Sequence, residues 1–115
     1  MEEAFEHAAE ATFGIALDLA AVHPTERLSV AFDEADPEFA LVTWLNLLLA
    51  EARCAGLALG RFSLRREGDT WHGEAAGEPW RPGVPRGVEV KGATLTMLAV
   101  RPTPAGWEAR CVVDV

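Results

Sequence analysis

The hydrophobic period of this chain changes at Gly56, and this change restricts the fold class more than any other feature. Before Gly56, apolar residues recur at helical spacing, apart from one alternating stretch at 27–32. After it, apolar and polar residues alternate as in half-buried strands. The order of helix, strand, helix and four strands predicts an α+β fold, with a mainly antiparallel sheet covered on one face by two helices.

The two predicted helices have clear sequence limits. The first covers residues 2–22 and stops at His23, because a residue before proline avoids the α region. The second begins with Asp36 as N-cap and Pro37 in the first helical position, and Gly56 is a typical stop. Its predicted buried face consists of Phe39, Val42, Leu45, Leu49 and Ala52.

The second half of the chain is predicted to form two β-hairpins, separated by a loop rich in proline and glycine at 79–87. The first pairs 57–65 with 70–78 around Glu67-Gly68-Asp69, and the second pairs 88–101 with 107–115 around 102–106.

The register of the last hairpin determines whether two charged residues meet. A four-residue loop would pair Arg101 with Gly106 and, further along, Ala93 with Asp114. Lys91 and Asp114 would then be diagonal neighbours on one face.

Asp114 also stands beside the terminal carboxylate on Val115, and two carboxylates make a hard oxygen site suited to Ca²⁺ or Mg²⁺. Lys91 could balance that charge. The alternative is an exposed strand end whose surface ion pair with Lys91 adds almost nothing to stability.

Composition argues against a nucleic-acid-binding protein. The 115 residues suit one domain, 1–115, and they carry a formal charge of −8 with a pI near 4.8. Phosphates repel such a surface unless basic residues cluster locally. The candidates for a cluster are Arg61, Arg65, Arg66, Arg81 and Arg86. Because they are spread over hairpins, we interpret them as solvated and expect no direct nucleic-acid binding.

The cysteines and the apolar runs indicate a cytoplasmic protein without a membrane span. Cys54 and Cys111 do not form a CxxC pair, and free buried thiols are expected at both positions, as in a reducing compartment. The most apolar run, 39–50, is too short to cross a bilayer. Glu2 and Glu3 are opposite in charge to the start of a signal peptide.

The usual catalytic signatures are missing from the sequence. His7, His23 and His72 are scattered and have no partners at metal-ligand spacing. The only serines, Ser29 and Ser63, lie outside any nucleophile motif. We therefore expect no enzyme, and a small hydrolase is the least favoured class.

Several short motifs, in order along nearly the whole chain, resemble the archease family. The most specific are the Gly-Glu-Pro motif, the Val-x-Val-Lys-x-x-Thr strand, and the C-terminal ending of a hydrophobic residue, Asp and a hydrophobic residue. The matching segments are Glu2 to Glu6, Trp44 to Leu49, Gly77 to Pro79, Val88 to Thr94, Gly106 to Arg110 and Val112 to Val115.

The resemblance implies a small α+β accessory protein of the GTP-dependent tRNA-splicing RNA ligase. Archeases promote guanylylation of the ligase's active-site histidine and its repeated turnover. The family's metal site uses an aspartate near the N-terminus, the penultimate aspartate and the terminal carboxylate. The last two correspond to Asp114 and Val115, and the family's functional lysine corresponds to Lys91.

This chain departs from the family pattern in two places. The family's first strand, which carries a His-Thr-Ala-Asp-like motif, precedes the point that matches Met1, and Thr94-Leu95-Thr96 replaces a usual Thr-Tyr-His. We therefore expect an incomplete metal site with weak or no binding of divalent cations. We also expect self-association through an exposed sheet edge. The alternative function is a diverged interaction or chaperone-like module that keeps the fold without the metal site.

Overall fold

The structure is a computed structural model that describes residues 1–80 and 89–115, so most of the predicted loop at 79–87 lies outside the described residues. The α+β class is confirmed, with helices and antiparallel strands in the predicted order. The elements are α1 (Glu2–Ala16), a 3₁₀ turn (Leu19–Ala21), β1 (Glu26–Asp33), α2 (Pro37–Ala55), β2 (Leu57–Glu67), β3 (Thr70–Pro79), β4 (Gly92–Ala93), β5 (Ala99–Thr103), β6 (Gly106–Arg110) and β7 (Val113–Asp114).

The main sheet has the strand order β1-β3-β2, with both pairs antiparallel. The predicted first hairpin is confirmed: Glu67 pairs with Thr70, and Gly68 turns the chain with a φ of 62°. The alternation predicted for 27–32 is also confirmed, since Val30 is buried whereas Arg27 is exposed. β1 and β2 are the edge strands of this sheet, and self-association through an edge stays a prediction.

The predicted limits of α2 are confirmed by its caps. The Asp36 carboxylate accepts a hydrogen bond from the Glu38 N–H at 2.8 Å, and Pro37 is the first helical residue. Gly56 ends the helix in the left-handed region, with a φ of 69°. Neither α2 nor any other helix within 1–80 and 89–115 is long and apolar enough to cross a membrane.

The predicted buried face of α2 is only partly correct. Phe39 is 49 % exposed, while Trp44 is fully buried. The indole N–H of Trp44 donates to the carbonyl of Phe5 at 3.0 Å, so burying this large side chain turns the helix away from the predicted stripe. The buried residues of α2 are Ala40, Leu41, Trp44, Leu45, Leu48 and Ala52.

Aromatic packing joins α1 to the inner face of the sheet. Phe5 and Trp71 are both fully buried, and their rings stack with centroids 5.2 Å apart. Phe32 stacks on the same tryptophan at 6.0 Å. The core therefore lies between the two helices and one face of the sheet.

The first helix ends at Ala16, six residues before the predicted end at 22. Leu17 is extended, and the Asp18 side chain caps the short 3₁₀ turn through the Ala20 N–H. Because the chain changes direction after Ala16, Leu17 and Val22 pack with Ala58, which is buried in a small second hydrophobic cluster. The gain in apolar burial explains why the helix does not continue to residue 22.

The predicted register of the last hairpin is wrong. β5 and β6 close around Pro104 and Ala105, so Arg101 pairs with Glu108 instead of Gly106. The ladder then breaks, because residues 94–98 on one side face only 111–112 on the other. The last hairpin is therefore divided into two separate pairs, β5-β6 and β4-β7, which in the described part of the chain accompany the three-stranded sheet.

The two cysteines are free thiols, but their predicted burial is only partly correct. Cys54 is exposed on the outer side of α2, which corrects the prediction of a buried thiol. Cys111 follows the end of β6 and is half-buried, and its burial raises the pKa of the thiol.

Candidate functional site

Pairing of β4 with β7 brings Lys91 and Asp114 together at the backbone. The Lys91 N–H donates to the Asp114 carbonyl at 2.7 Å, and Asp114 pairs with Gly92. The predicted partner of Asp114 was Ala93, so the register is wrong by one residue and no longer supports a shared face for the two side chains. Both side chains are exposed, so each is available to a partner.

Asn46 of α2 holds β4 in place. Its side-chain oxygen accepts from the Ala93 N–H at 2.8 Å, and its amide donates to the Ala93 carbonyl at 3.3 Å. A β-carbon at Gly92 would lie 3.2 Å from the same Asn46 oxygen, so the strand approaches the helix closely here. Sequence reasoning did not assign this role, although a polar residue within the apolar run 39–50 was the available signal.

The two residues before Lys91 lie beside α2. Val90 is 4 % exposed and borders a cavity of about 330 Å³ between α1 and α2. Glu89 lies 4.0 Å from the Arg53 guanidinium, an exposed pair that contributes little to stability. Lys91 is therefore an exposed residue between buried Val90 and the strand that Asn46 anchors.

The other end of the β4-β7 pair is closed by Thr94. Its backbone N–H and its hydroxyl both donate to the Val112 carbonyl, each at 2.9 Å. The chain then enters the 94–98 connection, in which Met97 has a φ of 52°. We call the exposed apolar residues of these segments the apolar rim: Leu95, Met97, Val112 and Val115.

The sequence predicts an incomplete site for Ca²⁺ or Mg²⁺ at Asp114 and Val115. Calcium takes six to eight oxygen ligands, and Asp114 with the carboxylate of Val115 supplies only part of them. Within residues 1–80 and 89–115 no group of three or more His, Cys, Asp or Glu side chains is placed to hold a metal ion. Metal binding by Asp114 and Val115 stays a prediction.

The Gly-Glu-Pro motif has a structural role in β3. Glu78 is 5 % exposed, and its carboxylate accepts a hydrogen bond from the His23 N–H. A β-carbon at Gly77 would come within 2.0 Å of the Ala58 carbonyl oxygen. The motif therefore packs β3 against β2 and ties down the segment that follows α1.

Known proteins resemble this chain along its whole length. The sequence model of the archease protein family (MTH1598/TM1083) matches residues 1–115. Protein archease of Methanosarcina mazei is 31 % identical over 121 residues, covering 100 % of this chain and 83 % of the relative. Protein archease of Methanopyrus kandleri is 30 % identical over 119 residues, covering 99 % and 85 %.

Solved structures share the fold. The solution structure of Methanobacterium thermoautotrophicum protein 1598 superposes with a TM-score of 0.78 at 28 % identity, covering 99 % of this chain and 84 % of that one. The crystal structure of an archease and possible chaperone from Thermotoga maritima gives 0.64 at 20 % identity, covering 96 % and 83 %. On the family match over residues 1–115 and the identity to its relatives, the chain belongs to the archease family.

Proposed function

We propose that this protein is an accessory factor of a GTP-dependent tRNA-splicing RNA ligase, assisting guanylylation of the ligase histidine and repeated turnover. The observation that supports it is the match of the archease family model over residues 1–115. In this proposal the protein acts on the ligase and has no catalysis of its own.

Lys91 is suited to act on a partner's chemistry. Its backbone is fixed by the β4-β7 pairing and, through Ala93, by Asn46, while its amine is exposed. A compact ammonium on a flexible stem binds phosphate groups as a point charge. The formal charge of −8 on the whole chain favours a basic ligase surface and speeds its encounter with the accessory protein.

Guanylylation of a purified RNA ligase from the same organism tests this proposal. GTP consumption and covalent labelling of the ligase are measured with the parent protein, Lys91→Ala and Asp114→Asn. We expect the parent to accelerate labelling and Lys91→Ala to reduce that acceleration by at least about tenfold, because its charge acts at the reacting phosphates.

Asp69→Asn is a matched control for Asp114→Asn, since Asp69 is exposed in the β2-β3 turn and far along the chain from β7. Equal acceleration by the parent and Lys91→Ala would remove Lys91 from the proposal. No acceleration by the folded parent protein would overturn the proposed function itself.

A chaperone-like interaction module is the second candidate, and the apolar rim favours it. Leu95 is 61 % exposed and Met97 is 66 % exposed, and such side chains can bind the apolar surface of a client. Light scattering of citrate synthase during heating tests this activity. We expect suppression of aggregation by the parent and its loss in Leu95→Ser/Met97→Ser, whereas an unchanged double variant would contradict the role of the rim.

A further inference from the structure

Two arginines lie on the outer face of the main sheet, although the chain as a whole is acidic. We call Arg27 and Arg61 the basic row. Ala76 of β3 is paired on one side with Arg27 of β1 and on the other with Arg61 of β2. Residues paired directly across antiparallel strands point to the same face, so both arginines flank Ala76. Their α-carbons are about 10 Å apart, because each strand spacing is about 4.8 Å.

A β-bulge gives Arg61 this direction. The register of β2 against β3 shifts between Leu59 and Arg61, which leaves Gly60 as the extra residue. Leu59 is fully buried on the core side, and strict alternation from it would turn residue 61 inward as well. The bulge resets the alternation, so Arg61 is exposed while Phe62 and Leu64 face the core.

The two arginines flank a concavity of about 210 Å³ whose floor includes Ala76. Pro24, in the segment after the 3₁₀ turn, borders it at one end, and Ser63 supplies a hydroxyl at the other. The small methyl group of Ala76 is what leaves this space open between two long side chains. The concavity is therefore bounded by groups from three strands and one connecting segment.

The charges at this place are not neutralised within the described chain. Among residues 1–80 and 89–115 no carboxylate lies within 4.0 Å of the guanidinium of Arg27 or Arg61. By contrast, Arg101 and Arg110 both contact Glu108, at 3.0 and 3.1 Å. Glu74 lines the concavity as its one acidic residue, so positive charge predominates there.

We propose that Arg27 and Arg61 form a phosphate-binding site over Ala76. Guanidinium groups bind phosphate oxygens through directed, often bidentate hydrogen bonds, and two of them can hold one phosphate from opposite sides. The site lies on the β1-β3-β2 sheet and is separate from Lys91 and Asp114, so it does not depend on the proposed function.

Nuclear magnetic resonance titration of the ¹⁵N-labelled full chain with inorganic phosphate tests the site, with sodium chloride at equal ionic strength as the reference. We expect saturable shifts confined to amides near Pro24, Arg27, Arg61 and Ala76, with a dissociation constant of about 1 mM. Arg27→Gln and Arg61→Gln are each expected to weaken binding at least fivefold. Arg101→Gln is the charge-matched control, and it should bind like the parent.

Ala76→Leu distinguishes phosphate binding in the concavity from non-specific attraction of phosphate to the arginine charges. The leucine side chain fills the concavity, and every charge is kept. We expect it to abolish binding in a protein whose circular dichroism spectrum and melting temperature match the parent. Non-saturating shifts spread over the surface, or parent-like binding by Ala76→Leu or by both arginine variants, would overturn the proposal.

The phosphate could belong to a free phosphate compound or to an RNA strand, and a second arm distinguishes these sources. Guanosine monophosphate and a short oligouridylate are titrated under the same conditions. Binding of the monophosphate alone assigns the site to small phosphate compounds. Tighter binding of the oligouridylate at the same amides, with a strong salt dependence, assigns it to RNA.

Discussion

The indole ring of Trp44 lies against the backbone of Gly73, where a β-carbon would come within 2.1 Å of the ring atom Cζ3. This contact sets how closely α2 approaches the central strand β3. Trp44 is also hydrogen-bonded to the carbonyl of Phe5, so one side chain joins both helices and the sheet. Any larger residue at position 73 would clash with the buried ring of Trp44, so the ring would have to move.

Gly73→Ala is therefore expected to destabilise the protein by about 3 kcal/mol, at the upper end of the cost of overpacking a core. The free energy of unfolding is measured by urea denaturation. Gly14→Ala is the matched control, because a β-carbon at Gly14 meets nothing within 4 Å and α1 gains a better helix former. Equal stability of the two variants would contradict the close packing of Trp44 on Gly73.

The elements with strong local signals could be predicted from the sequence. Asp36, Pro37 and Gly56 delimit α2 because capping chemistry is local, and Gly68 marks the first hairpin turn for the same reason. The buried face of α2 could not be predicted as well, since it depends on a hydrogen bond from Trp44 to a distant part of the chain.

Asn46→Leu is expected to detach β4 from α2. Leucine keeps the branched shape of the side chain but removes both hydrogen bonds to Ala93, whose half-buried backbone groups then lack these partners. We expect a loss of about 1–3 kcal/mol in stability and faster amide hydrogen exchange at Ala93. Asn46→Asp keeps the acceptor for the Ala93 N–H. The Ala93 amide should therefore exchange more slowly in Asn46→Asp than in Asn46→Leu.

Retained protection of the Ala93 amide in Asn46→Leu would contradict this account of how β4 is held. If the proposed ligase function holds, the same variant should also lower the acceleration of guanylylation in that assay, since β4 follows Lys91 directly. A variant that unfolds β4 locally but leaves that acceleration intact would show that Lys91 does not need its present position.

The register at the candidate site could not be predicted from local sequence patterns. Lys91 and Asp114 were expected to be close, and pairing of β4 with β7 places them in contact at the backbone. Their predicted register failed for two reasons. The hairpin closes around two residues, Pro104 and Ala105, instead of four, and the 94–98 connection then interrupts the pairing. The basic row of Arg27 and Arg61 depends on the bulge at Gly60, which period-two alternation does not show.

Glu6 is expected to protect an edge of the main sheet. Its carboxylate accepts the Leu64 N–H at 2.7 Å, on edge strand β2. Glu6→Ala leaves this donor without its partner, which should cost about 1–3 kcal/mol and favour pairing with a second chain. Urea denaturation and multi-angle light scattering over a range of concentrations measure the two effects.

Glu6→Gln keeps an acceptor oxygen and should lose less stability than Glu6→Ala. Glu10→Ala removes an exposed carboxylate from the same helix, so it controls for the change in net charge. If the Glu6 and Glu10 alanine variants have the same stability and the same molar mass in solution, the carboxylate of Glu6 does not protect this edge.

Cys111 is expected to be the less reactive of the two thiols. Its burial is also expected to make the folded protein less stable as the pH rises into the alkaline range. Burial raises the pKa of its thiol, so less of the reactive thiolate is present near pH 8 than at an exposed cysteine. The reaction with Ellman's reagent should therefore be at least about tenfold slower for Cys111 in Cys54→Ser than for Cys54 in Cys111→Ser.

The raised pKa also gives the sign of the pH effect. The folded chain keeps the Cys111 proton at pH values where the unfolded chain has lost it, so the favourable contribution is complete below the unfolded pKa of about 8.5. It is lost as the pH rises through the folded pKa. Urea denaturation between pH 7 and about pH 10 should show a decline that Cys54→Ser retains and Cys111→Ser reduces. A decline of equal size in both variants would show that burial of Cys111 is not its cause.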